Sequence, residues 1–141
     1  MSRIAVQFLD QGLHRVLFDA MPMPVFVVDR DVSILEYNLA AARLLGEEKQ
    51  KILDRRSGEV LHCLHASETP KGCGCGPACK NCVVRESVRM AVAGQRVTRR
   101  WTEMDLLLKG APTKVKVRVS AQPVNYEKSS LVLLILEGLN D

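Results

Sequence analysis

The segment "GCGCGPACKNC", Gly72 to Cys82, holds four of the chain's five cysteines, and the fifth, Cys63, lies just upstream between His62 and His65 in "LHCLHA". Cys79 and Cys82 form C-x2-C, the spacing at which two thiolates reach one ion across a tight turn whose amides also bond the sulfurs. Cys73 comes earlier, and Gly74, Gly76 and Pro77 let the intervening chain fold back. Cys63 can close the set from the preceding segment. A Cys63, Cys73, Cys79, Cys82 site is four-thiolate and suits structural Zn²⁺ or an iron–sulfur cluster. Cys75 is then the spare thiol, although its C-x-C spacing from Cys73 permits tighter joint chelation. His62 and His65 are alternative ligands, with a hydrogen-bonded structural role as the simpler reading of each. Two other chemistries stay open for the same residues: a disulfide pair, structural or redox-switched, and reduced thiols that hold nothing. Covalent c-type haem is disfavoured, because Cys82 is followed by Val83 where that motif requires His.

Small size does not explain the cysteines. The chain has 141 residues, 47% of them hydrophobic, which is enough for one domain with its own core and no need of disulfides to replace a missing one. Net charge is +4 and the charges are dispersed. No basic block interleaves with aromatics, so nucleic acid is not an expected partner. No apolar run approaches the roughly 18 residues of a membrane helix, so no membrane association is expected. The opening "MSRIAVQFLDQGLHRV" carries Asp10 and no small-residue cleavage site, unlike a secretory signal. A cytoplasmic location follows as an expectation, and in that reducing compartment clustered cysteines more often bind metal or do redox chemistry than form structural bridges. The sequence holds no nucleophile–base–acid set, phosphate loop or catalytic carboxylate pair, so no enzyme is expected.

The elements that must position the cysteines follow from periodicity. Residues 3–21 predict a helix with Val6, Leu9, Leu13, Val16 and Ala20 in a heptad-like stripe, widened by Ile4, Phe8, Leu17 and Phe18. Part of that stripe packs on its own domain and part suits a second chain. "MPMP" ends the helix. "VFVVD" and "VSILEYN" predict a hairpin with a charged turn, and Asn38 can cap the following helix "LAAARLLG", which ends at Gly46. "EEKQKILDRR" reads as a surface helix. From Cys82, "CVVRESVRMAVAGQ" predicts a helix ending at Gly94, which places its positive end beside the sulfurs. "RVTRRWTEMDLLL", a turn at Lys109–Pro112, "TKVKVRVSAQPV" and "SLVLLILEGL" predict three closing strands. Val115, Val117 and Val119 face inward, and the last strand, continuously apolar, reads as buried on both faces. Trp101 reads as packing, Arg96, Arg99 and Arg100 as a solvated strand face or dimer rim, and Asn38 as a cap. Strands at both ends of the chain must pair into one antiparallel sheet of about five strands with helices over one face, an α+β fold.

This order of segments resembles the PAS sensory domain, and "LFDAMPMPVFVVDRDVSILEYNLAAARLLG" is similar to a PAS opening: a helix, a "P-x-x-V-x-V-x-D" strand, a strand ending in Asn, then a small-residue helix. The middle, "GEVLHCLHASETPKGCGCGPACKNC", resembles a bacterial PAS subgroup with "G-x-x-L-x-C-x-H-A" followed by "G-C-G-x-G-x-x-C-x-x-C", matched through Gly58, Leu61, Cys63, His65, Ala66, Gly72, Cys73, Gly74, Gly76, Cys79 and Cys82. Cys75 falls where that motif is free. The resemblance implies a sensor module that homodimerises and feeds a histidine kinase, cyclase or regulator output. The long helix lacks the His of haem-binding PAS domains, and neither Cys63 nor Cys82 sits in the flavin-adduct motif of photosensing ones, so neither cofactor is expected.

The expected organisation is an N-terminal amphipathic, dimerising helix over residues 1–21 and a PAS domain over 22–141 with its cysteine-rich insert at 58–82. The function read from it is a sensor whose insert binds a metal or cluster or acts as a redox switch. The alternatives are a small thiol oxidoreductase using Cys79 and Cys82, and a zinc-stapled interaction domain.

Overall fold

Period-two alternation builds the sheet on which everything else rests. The computed structural model describes residues 12–46, 48–61, 63, 73, 82–108, 111–126 and 128–138. Strands β1 (Val25–Val28), β2 (Ile34–Tyr37), β3 (Val97–Leu108), β4 (Ala111–Tyr126) and β5 (Ser129–Glu137) form one sheet in the order β2-β1-β5-β4-β3, antiparallel throughout. In β4, Val117 and Val119 are fully buried while Lys116 is exposed, and Val115 packs at the edge of the same core. The long helix, Val83–Val92, lies over β4 and β5. Its Val84, Ser87, Val88 and Ala91 recur at helical spacing and are the face it buries. Burying each such valine contributes roughly 1.5–3 kcal/mol. The fold class is therefore the expected α+β arrangement.

Three strand expectations need correction. β5 is central, but it alternates: Val132, Leu134 and Leu136 are fully buried, whereas Leu131, Leu133 and Ile135 are only half-buried. Helices cover one face of the sheet, so an apolar run does not imply burial on both. Pro112 is not in the turn; it pairs with Leu107 inside the β3–β4 ladder. Trp101 is not core packing either. It is 58% exposed on the uncovered face, with the Arg118 guanidinium 4.2 Å from its ring centroid. Arg99 and Arg100 pair with Glu137 and Glu86.

The first described helix, α1 (His14–Ala20), ends where "MPMP" begins, as expected. The rest of the predicted helix, residues 3–11, lies outside the described residues. Helix α1 is knitted to the sheet by polar contacts. Arg15 pairs with Asp19 and Glu36 and donates to the Tyr37 carbonyl, and Asp19 accepts from the Leu39 amide. Asn38 is fully buried and goes well beyond a cap. Its Oδ1 accepts from Ala41 at 3.1 Å and from Val25 at 3.0 Å, while its Nδ2 donates to the carbonyls of Phe18 at 3.1 Å and Met23 at 3.0 Å. One amide thus ties α1, β1 and helix α2 (Leu39–Leu45) together. Helix α2 ends on Gly46 at φ 63°, the left-handed stop expected of glycine.

The hairpin turn between β1 and β2 is shaped by Asp29, whose Oδ1 accepts from the Asp31 and Ser33 amides. Val32 there has φ 64° and is 1% exposed. A β-branched residue in that region is strained, and burial of its side chain holds it. The stretch "EEKQKILDRR" is not a surface helix. Among its described residues a short 3-10 turn forms at Lys49–Lys51, after which the chain runs beside β2: Ile34 donates to the Arg55 carbonyl, Asp54 donates to the Ile34 carbonyl, and Ser33 bridges Arg56. Ile52 is fully buried and anchors the segment. A regular helix would not give β2 these partners.

Candidate functional site

The cysteine corner is built from one turn of helix, α3 (Ser57–Val60), and what folds back over it. The Arg56 amide donates to the Glu59 carboxylate, which fixes the start of the turn. The Cys63 amide donates to the Gly58 carbonyl at 2.7 Å, and Cys63 also bridges Leu106 of β3. Cys73 returns to the same place and is buried. A Cβ added to Gly58 would stand 2.8 Å from the Cys73 Sγ and 3.4 Å from the Cys63 Cβ. Gly58 is needed here for close approach: the two cysteine side chains flank the space that a methyl group would fill.

Two guanidiniums hold Cys73 from the other side. Its carbonyl accepts from Arg56 Nη1 at 2.7 Å and from Arg85 Nη2 at 2.9 Å. Arg85 Nη2 also lies 3.5 Å from the Cys73 Sγ, within reach of a sulfur acceptor. Both arginines converge on Asp31 in the hairpin turn, Arg56 Nε at 2.9 Å and Arg85 Nη1 at 3.2 Å. Burial works against the Arg85 charge, but Cys73 and Asp31 more than offset it and raise its pKa above the ordinary arginine value. Arg85 Nε is buried with no hydrogen-bond acceptor. Cys82 sits at the N-cap of the long helix, designated α4, half-buried, with no cap hydrogen bond from its side chain.

Of the residues expected to bind metal, Cys63, Cys73 and Cys82 are described, while Cys79, Cys75 and His65 lie outside the described residues, as does His62. Cys63 and Cys73 come together; Cys82 marks the helix start. Among the described residues, no three His, Cys, Asp or Glu side chains form a metal-holding group. Asp31, Arg56 and Arg85 were not anticipated. They are far apart in sequence, and no spacing pattern links them.

Residues 12–75 match the family model described as PAS domain. No curated protein matches the chain. Among solved structures, the fold is similar to the PAS domain of nitrogen regulation protein NR(II) from Vibrio parahaemolyticus, at 16% identity and TM-score 0.59, covering 91% of this chain and 99% of that one. It is similar to the PAS domain of an HTR-like protein from Haloarcula marismortui, at 22% identity and TM-score 0.56, covering 91% and 96%. A domain of the sensory box sensor histidine kinase/response regulator from Geobacter sulfurreducens matches at 16% identity and TM-score 0.56, covering 92% and 95%. Residues 12–75 thus match the PAS domain family in sequence, and the fold over the whole sheet is similar to that of solved PAS domains.

Proposed function

We propose that the chain is a signal-sensing PAS module whose cysteine loop is the responsive element, relaying to a histidine kinase, cyclase or regulator output. The observation that carries the reading is the placement of Cys73. One residue of the loop is fastened through Arg56 and Arg85 to the β1–β2 turn and to α4, and its side chain lies against the same glycine as Cys63. Two thiols at one point with a guanidinium donor on one sulfur suit a thiolate-liganded group, whose sulfurs take such outer hydrogen bonds. Cys63, Cys73, Cys79 and Cys82 would hold Zn²⁺ or an iron–sulfur cluster, which when bound supplies a crosslink between segments distant in sequence. A change in how Cys73 is held then shifts Arg85 and Asp31, and with them the strained turn at Val32 and the start of α4. That is local chemistry biasing a neighbouring element.

The oxidoreductase alternative is less well supported. A helix-start C-x2-C in thioredoxin-like enzymes follows a strand of a parallel unit, whereas every strand pairing among the described residues is antiparallel. No helix among the described residues is long and apolar enough to cross a membrane.

The metal reading is tested by elemental analysis of protein purified anaerobically. Cys79→Ser or Cys82→Ser should lose the bound metal and Cys75→Ser should keep it. Equal loss from Cys75→Ser would show a different ligand set.

Homodimerisation through α1 is part of the same proposal. Val16 and Leu17 are exposed at 61% and 55% on a helix otherwise tied to its own sheet. Removing residues 1–20 would also remove the Phe18 and Asp19 contacts of Asn38 and Leu39, so point changes are the cleaner probe. Val16→Glu with Leu17→Glu should lower the sedimentation mass toward that of a monomer while the fold is kept. An unchanged dimer mass would place the interface elsewhere.

A further inference from the structure

We propose that Cys63 and Cys73 form a dithiol–disulfide pair, so that a peroxide oxidant competes with metal for the same two sulfurs. The pairing stands on geometry alone; only the competition rests on the metal reading above. Both Cβ atoms lie within contact distance of the point where a Cβ on residue 58 would stand, 3.3 Å for Cys73 and 3.4 Å for Cys63, and the Cys73 Sγ lies 2.8 Å from it, in the room that Gly58 leaves. A disulfide asks for Cβ atoms roughly 3.5–4.5 Å apart, a separation that two Cβ atoms both in contact with one point can adopt. The two residues are fastened on opposite sides of it. Cys63 is held by its amide on Gly58 and by its bridge to Leu106, and Cys73 by two arginines on its carbonyl. The backbones are thus placed independently of the sulfurs, and bond formation does not have to organise a loose loop.

Their exposures differ in a way that assigns the roles. Cys63 is half-buried and Cys73 is buried. Cys63, the more exposed residue, is therefore assigned as the first to meet a small oxidant. It attacks the peroxide O–O bond, forming an S–O bond and releasing water, which leaves Cys63 as a sulfenic acid. The Cys73 sulfur then attacks the Cys63 sulfur. The S–S bond forms, the S–O bond breaks, and the hydroxyl leaves as water with the Cys73 proton. Two thiols lose two electrons and two protons, and one peroxide becomes two waters. The new bond draws the Cys73 Sγ away from Arg85, whose Nε already lacks an acceptor. The ion pair with Asp31 then becomes the main contact left to that guanidinium besides the Cys73 carbonyl.

The test uses the full chain, reduced and metal-free, treated with hydrogen peroxide, alkylated and mapped by non-reducing peptide mass spectrometry. A peptide pair joining Cys63 to Cys73 is expected. It should disappear on reduction, be absent from Cys63→Ser, and be lost in Gly58→Ala, where the added methyl group fills the gap while a helical position gains a better helix former. Preferential joining of Cys79 to Cys82, or arrest of Cys63 as sulfinic acid with Cys73 still a thiol, would overturn the pairing. A parallel sample loaded with Zn²⁺ separates the two readings. Zinc that protects both cysteines and is released by peroxide supports both. Crosslinking in a chain that binds no zinc keeps the pairing and removes the metal reading. Zinc binding without any crosslink after chelation removes the pairing and keeps the metal reading.

Discussion

Asn38→Ala should destabilise the domain by about 4 kcal/mol, far more than the roughly 1 kcal/mol of an ordinary helix cap. The side chain is fully buried and meets the amides of Val25 and Ala41 and the carbonyls of Phe18, Met23 and, at 3.5 Å, Met21. Alanine removes every partner at once and leaves buried donors and acceptors unpaired, each costing roughly 1–3 kcal/mol, though not additively. Urea unfolding is the measurement, read as a fall in midpoint at constant slope. Asn38→Asp separates the two halves of the network. It keeps acceptors for Val25 and Ala41 but turns a carboxylate toward the carbonyls of Phe18 and Met23, so it should also lose most of the stability. A loss near 1 kcal/mol for alanine would mean that the cap alone matters and that α1 is not tied down through this amide.

If the cysteines hold zinc as proposed, Arg85→Ala should weaken its binding by about 10–100-fold, the usual effect of removing a residue that hydrogen-bonds a metal ligand. Arg85 is the residue that touches the Cys73 sulfur, the Cys73 carbonyl and Asp31 together. Arg56 would remain on the carbonyl and on Asp31, so the loop would stay attached while the sulfur loses its donor. Arg85→Lys keeps the charge but not the planar fork that serves three acceptors, and should recover only part of the affinity. Competition against a chromophoric chelator gives the constants. Hydrogen exchange at the Val32 and Ser33 amides should also quicken in Arg85→Ala, because Asp31 loses its ion pair with Arg85. Unchanged zinc affinity in Arg85→Ala would remove this arginine from the site.

How far the sequence anticipates these features depends on how local their causes are. Alternation at Val115, Val117 and Val119 is a property of neighbours in the chain, and it correctly assigns the inward face. Asn38 before "LAAARLLG" is a local cap signal, and the cap exists. Its bonds to Phe18 and Met23 depend on how α1 returns to the sheet, which no spacing encodes. The run "LVLLIL" shows that a strand avoids charge, but not how many layers cover it, so it overstates the burial of Leu131, Leu133 and Ile135. The anchoring role of Ile52 is hidden by its charged neighbours, which suggest a solvated helix, whereas a single apolar side chain suffices to pin an extended segment. The cysteine corner was legible as chemistry through its residue types. The triangle of Asp31, Arg56 and Arg85 was not, since charged residues are common on surfaces and only the folded chain brings these three together.

The unequal lengths of the last strands leave a feature with a consequence for behaviour in crowded solution. β5 accompanies β4 only from Tyr126 back to Arg118, where Glu137 is its last partner. Gly138, at φ 108°, then passes so close to the Lys116 carbonyl that a Cβ would stand 2.7 Å from it. Beyond that point, among the described residues, β4 has a neighbour on one side only, β3. A bare strand border is a template on which another molecule can add its own strand. This border carries Pro112, which has no amide hydrogen to offer, and the side chains of Lys114 and Lys116. Two copies approaching border to border meet the Lys116 charge of each, Lys114 being paired with Asp105, and a missing donor. The protruding ribbon can therefore extend past the sheet without recruiting its own kind into fibrils.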